Sequence, residues 1–77
     1  MLHVTKVKYI KDYSLWLSFD DGTEGTIDLC NHLKGLVFSP LKDKEIFNQV
    51  MLDDELRTIS WPNGADLAPE VLKSNLN

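Results

Sequence analysis

Cysteine, histidine and carboxylate side chains are the groups in this chain that could do chemistry, and their spacing decides how much of it is available. Cys30 is the sole cysteine and His32 stands two positions on, so in a strand the thiol and the imidazole would share one side. A nucleophile of that kind also needs a third group to orient its base, and none is identifiable. Cys30 therefore reads as a small buried hydrophobe. Asp20, Asp21, Glu24 and Asp28 gather four carboxylates, but not in the spacing of a Ca²⁺ loop with its terminal glutamate, and Asp28 falls in a strand. They read as surface charge. His3 and His32 lack a second metal ligand at useful spacing and read as solvent-facing or turn histidines. No catalytic, metal or cofactor-binding motif emerges, and the chain is expected not to be an enzyme.

Two aromatic segments carry more information. The run Thr58-Ile59-Ser60-Trp61-Pro62-Asn63-Gly64-Ala65-Asp66-Leu67 is a β-type stretch that ends in an aromatic and three turn-forming positions. Pro62 fixes its own φ and pushes Trp61 into an extended conformation, while Asn63-Gly64 tolerates positive φ. Trp61, Pro62, Asn63, Gly64 and Asp66 are thus expected to form a structural turn, with a small polar ligand site as the competing use of the same residues. Trp16 is the second. In Ser14-Leu15-Trp16-Leu17-Ser18-Phe19 the apolar Leu15, Leu17 and Phe19 recur at period two, which sends Ser14, Trp16 and Ser18 to the opposite face. A tryptophan among small polar residues has the composition of an interaction patch, and Thr26 and Asp28 are its expected neighbours across the strands. Burial of Trp16 under a second layer, such as the C-terminal helix, is the opposing reading.

The elements that must position these residues are short. Val4 to Ile10 is β-branched and aromatic but does not alternate cleanly; Ser14 to Phe19 is the clearest strand. Asp20-Asp21-Gly22-Thr23 predicts a tight hairpin with Gly22 at positive φ, and the chain returns through Glu24 to Leu29. Asn31 to Gly35 predicts a turn or single helical turn capped by Asn31 and ended by Gly35. Ser39-Pro40 matches an N-cap followed by proline, and Asp43 caps again before a helical segment that directs Leu41, Ile46, Phe47 and Val50 at the sheet. Val50-Met51-Leu52 and Leu56 to Trp61 predict a second hairpin around the acidic Asp53-Asp54-Glu55. Pro69 starts a last helix anchored by Val71 and Leu72, with Ser74 to Asn77 fraying. The fold class is α+β: a small antiparallel sheet, built as a three-stranded meander plus a second hairpin, with short helices packed on one face.

With 77 residues there is one core and one domain, spanning 1–77, which buries about 60–65% of its unfolded surface. A hydrophobic share of 43% and a mixed-sign charge of 26% exclude disorder. Eight basic against twelve acidic side chains leave a net charge of −4, and a single arginine, Arg57, disfavours direct nucleic-acid binding. Lys6, Lys8 and Lys11 form the nearest thing to a basic stripe and read as a solvated face. One cysteine permits no internal disulfide, which fits a reducing cytoplasm. The N-terminus lacks the pattern of a signal peptide, and no apolar run approaches about 18 residues, so neither secretion nor a membrane span is expected.

Phe19-Asp20-Asp21-Gly22 with Gly25 and Ile27-Asp28-Leu29, Phe38-Ser39-Pro40-Leu41 with Phe47, and Ile59 to Leu67 with Pro69 together resemble the bacterial DUF2442 family, a domain of unknown function. The resemblance spans nearly the whole chain, and its last motif is the specific one. It implies a small α+β fold similar to the N-terminal domain of a Nitrosomonas protein of unknown function, where a helix-turn-helix domain follows; no counterpart of that second domain is expected here. It also implies a partner, because many members are encoded beside a small protein of another uncharacterised family, DUF4160, in an arrangement that resembles a toxin–antitoxin pair. Two positions depart from the family pattern. Ala68 stands where an aspartate usually precedes Pro69, and Arg57 where glycine is frequent. The expected function is a small cytoplasmic protein-interaction module, with the antitoxin-like role of a two-gene pair as its specific form and no cofactor. The alternative is a small-molecule-sensing or regulatory domain that uses the Trp61 to Asp66 turn.

Overall fold

A computed structural model describes residues 1–77 and contains the expected α+β architecture. Strands β1 (Val4–Lys11), β2 (Ser14–Phe19) and β3 (Glu24–Asp28) form an antiparallel meander in the order β1-β2-β3. In β2 the burial follows the sequence alternation: Leu15, Leu17 and Phe19 are buried, and Ser14, Trp16 and Ser18 are half-buried on the other face. The imperfect alternation of β1 has a structural cause. The pairing with β2 shifts register between Val4 and Lys6 and again between Tyr9 and Lys11. Each bulge adds a residue, so Val4 opposite Phe19 and Val7 opposite Leu17 reach the same inner face although they are three positions apart. The β2–β3 turn holds Gly22 at φ 87, as the hairpin requires, and the Asp21 carboxylate accepts the Thr23 amide at 2.9 Å.

Between β3 and the second hairpin the chain makes only short helical pieces. A 3-10 turn, Cys30–His32, follows β3, so Cys30 and His32 do not share a strand face. The Asp28 carboxylate, rather than Asn31, holds this turn by accepting the Cys30 amide at 2.9 Å. Gly35, at φ 89, opens helix α1 (Gly35–Phe38) instead of closing the preceding turn. A second 3-10 turn, Ser39–Lys42, has Pro40 in its first positions, but its N-cap is Phe38, and no side chain caps it. Asp43 does cap helix α2 (Lys44–Phe47), accepting the Glu45 amide at 3.0 Å. Leu41 and Phe47 are buried, with Ile46 and Val50 packed beside them.

Strands β4 (Met51–Asp53) and β5 (Thr58–Ser60) form the second hairpin. It is shorter than the β-propensity suggested because the Asp53 carboxylate accepts the amides of Glu55 and Leu56, which curls residues 54–57 into the turn. Arg57 lies there at φ 59, a left-handed conformation that a non-glycine residue seldom adopts. The last helix, α3 (Pro69–Ser74), has no side-chain cap at Ala68. Only Leu72 is its buried anchor, and Val71 is 44% exposed. Adjacent helical residues point about 100° apart, and the core lies on the Leu72 side of this helix. The chain after α3 is pinned: the Asn77 amide donates to the Thr26 carbonyl at 2.9 Å, and Leu76 packs over Gly25. Thirteen buried hydrophobic residues, including Leu15, Leu17, Ile27, Phe47, Ile59, Trp61 and Leu72, join both hairpins and the helices in one cluster on the inner face of the meander.

Candidate functional site

The outer face of the meander is built by the same alternation that fills the core. Directly paired residues of antiparallel strands share a face, which arranges its side chains in three rows. Lys6, Ser18 and Glu24 form one row, Lys8, Trp16 and Thr26 the next, and Lys11, Ser14 and Asp28 the third. Trp16 therefore sits at the centre, between a lysine edge on β1 and an edge bearing two carboxylates on β3. The Lys8 ammonium lies 5.7 Å from the Trp16 ring centroid, within cation–π range. None of the buried hydrophobic residues belongs to this face, and α3 and the tail after it turn Leu72 and Leu76 to the inner side, away from Trp16. Ser14, Ser18, Thr26 and Asp28 do surround Trp16 in the register. Asp28 is an expected neighbour; what the reading of Trp16 missed is Glu24 on the same side and the three lysines on the other. Lys6, Lys8 and Lys11 read as a solvated stripe, and only the register sets Glu24 and Asp28 opposite them.

The Trp61 to Asp66 turn buries Trp61 and Ala65 and leaves Pro62, Asn63, Gly64 and Asp66 exposed. Trp61 is 2% exposed, its Nε1–H donates to the Phe47 carbonyl at 2.9 Å, and its ring lies 5.6 Å from that of Phe47. The turn closes through the Trp61 amide on Ala65 O and the Gly64 amide on Trp61 O, with Gly64 at φ 89. The Asn63 amide group donates to Val37 O at 2.9 Å while its oxygen accepts the Ala65 amide at 3.1 Å. Pro62 and Asp66 are exposed, and Asp66 bridges Ser60 through the backbone.

Elsewhere the titratable groups serve local structure. Cys30 is exposed, not a buried hydrophobe, because the 3-10 turn that replaces a continued strand sends Leu29 and Leu33 inward instead. His32 is half-buried with Nδ1 shielded and unpaired. His3, read as solvent-facing, is clipped to the β2–β3 turn: Asp20 accepts its amide at 3.0 Å and its Nδ1 lies 2.9 Å from Asp20 Oδ2. That amide bond first, and the imidazole with it, hold the Asp20 carboxyl below its ordinary range against the opposing effect of desolvation. Lys73 of α3 reaches Asp21 at 2.5 Å, and this bond with the Thr23 amide draws the Asp21 carboxyl down to about 2. An open cleft of about 670 Å³ lies above these pairs, lined by Met1, Leu2, Asp20, Asp21, Glu70, Lys73 and Ser74. The pairs join residues 17 and 52 positions apart, beyond the reach of any local spacing rule. No three His, Cys, Asp or Glu side chains converge as metal ligands, and no helix is long and apolar enough to cross a membrane.

No curated protein and no solved structure matches the chain. The family described as "Protein of unknown function (DUF2442)" matches it over residues 4–76, which takes in all five strands, the 3-10 turns and all three helices. With that match running from the first strand past the last helix, the chain belongs to the DUF2442 family.

Proposed function

We propose that this chain is a small cytoplasmic protein-interaction module without chemistry of its own, and that the outer face of the meander docks its partner. The observation that carries the reading is Trp16: a large aromatic held at the centre of a sheet face that contributes nothing to the core, ringed by Ser14, Ser18, Thr26 and Asp28. Rigid aromatics in such settings supply much of the energy of protein interfaces. The partner we expect is the small DUF4160-like protein encoded beside many family members, with this chain in the antitoxin-like role.

Co-expression of the chain with that neighbouring protein tests the reading. Trp16→Ala should weaken capture by about 30-fold or more, the equivalent of about 2 kcal/mol at a central interface tryptophan. In the free protein the same change removes the Lys8 contact and the apolar burial of a half-buried ring, about 1–2 kcal/mol together, so the melting temperature should fall by no more than about 15 °C. Unaltered capture, or a collapse of stability in its place, would identify Trp16 as a packing residue.

A further inference from the structure

The charge pattern around Trp16 is self-complementary, and we infer that the outer face also pairs with a second copy of this chain, resting on the reading of that face as a docking surface. The lysines lie on β1, at one side of β2, and the carboxylates on β3, at the other. A two-fold axis along β2 exchanges the two sides while keeping each row at its own level. Lys6 of one copy then lies over Glu24 of the other, Lys11 over Asp28, each contact occurring twice, and Trp16 meets its own equivalent on the axis. Sheets that pack face to face stand about 10 Å apart, a gap that an extended lysine crosses and two offset indoles fill. The face fits another copy better than a polyanion, because Glu24 and Asp28 lie beside the lysines and would repel phosphate.

Three strands about 4.8 Å apart, rising about 3.3 Å per residue, make a face of roughly 15 by 20 Å. Two such faces bury well below the about 1,200 Å² of a standard interface, so the dimer is weak, with a dissociation constant on the order of 100 µM. Its charged rows make it weaker still as salt rises. A docked partner and the second copy need the same face and exclude one another, so self-pairing would shield Trp16 until a partner binds.

Sedimentation equilibrium of the full chain from about 10 µM to about 1 mM tests this. Wild type should show a monomer–dimer equilibrium that weakens at least about threefold between about 50 and about 500 mM salt. Lys6→Glu alone and Glu24→Lys alone each set like charges against each other twice and should lose association about tenfold or more. An equimolar mixture of the two should regain it, because each copy then presents the charge the other needs. Both positions are exposed, so circular dichroism should show both variants folded. A wild type that stays monomeric at the highest concentration, or a mixture that associates no better than its components, overturns the self-pairing. Capture of the neighbouring protein that still depends on Trp16 in that case would leave the partner reading standing without it.

Discussion

Trp61 and Arg57 show how differently two residues of one hairpin bear on stability. The Trp61 ring fills the core against Phe47 and satisfies the Phe47 carbonyl, so Trp61→Ala leaves both a cavity and an acceptor that has lost its donor. The loss should be about 3–5 kcal/mol, read from a urea midpoint, and wild-type stability would show the ring to be dispensable to the core. Arg57 poses the opposite case: it is exposed and sits at φ 59, where an L-residue is strained by about 1–2 kcal/mol. Arg57→Gly relieves that strain but frees the unfolded chain, so the net gain should be up to about 1 kcal/mol, with the bond from the Val4 amide to the Arg57 carbonyl retained. A lower urea midpoint for the glycine variant would mean that the arginine side chain stabilises the turn.

The C-terminal helix and its tail depend on geometry that residue types do not announce. Val71 and Leu72 are equally apolar, yet the helix turns Leu72 into the core, and the chain beyond its end lays Leu76 against the same cluster. Leu76 finds room because Gly25 opposite Leu17 has no side chain on the inner face, and its methyl groups lie 3.7 Å from where a Cβ would stand. Leu76→Ala should therefore cost about 1 kcal/mol, whereas Val71→Ala should stay within about 0.5 kcal/mol of wild type. Equal losses in thermal melts of the two would place both side chains against the core. Hydrogen exchange should show the Asn77 amide protected by Thr26, unlike a frayed end.

At the scale of the molecule, the N-terminus, the β2–β3 turn and α3 are tied by two adjacent carboxylates, Asp20 to His3 and Asp21 to Lys73. Both carboxyls are held below their ordinary value of 3.8, Asp21 at about 2. A carboxyl whose folded pKa is depressed contributes stability that is fully present above the unfolded value and is lost as pH falls through the folded one. Thermal stability should thus decline as pH falls from about 4 toward about 2, and less steeply in high salt, since both pairs are solvent-accessible. Asp21→Asn keeps an acceptor for the Thr23 amide but loses the charge, so it should flatten the acid limb of the melting curve. An unchanged limb would remove Asp21 from the acid response.

Wherever a rule acts within a few residues, the sequence by itself determined the outcome. Alternation in β2 set the inner and outer faces, Gly22 and Asn63-Gly64 set turns, and Asp43 set a helix start, because hydrogen bonds and sterics over two to four positions suffice for each. What only the tertiary structure decided was every choice between residues of equal local merit: which of Val71 and Leu72 is buried, and whether Cys30 faces water. The candidate face divides along the same line. Trp16 at its centre follows from period two within one strand, but the opposed rows of lysine and carboxylate exist only once β1 and β3 are set in register on either side of β2, and register is fixed by long-range pairing and bulges that no local spacing encodes.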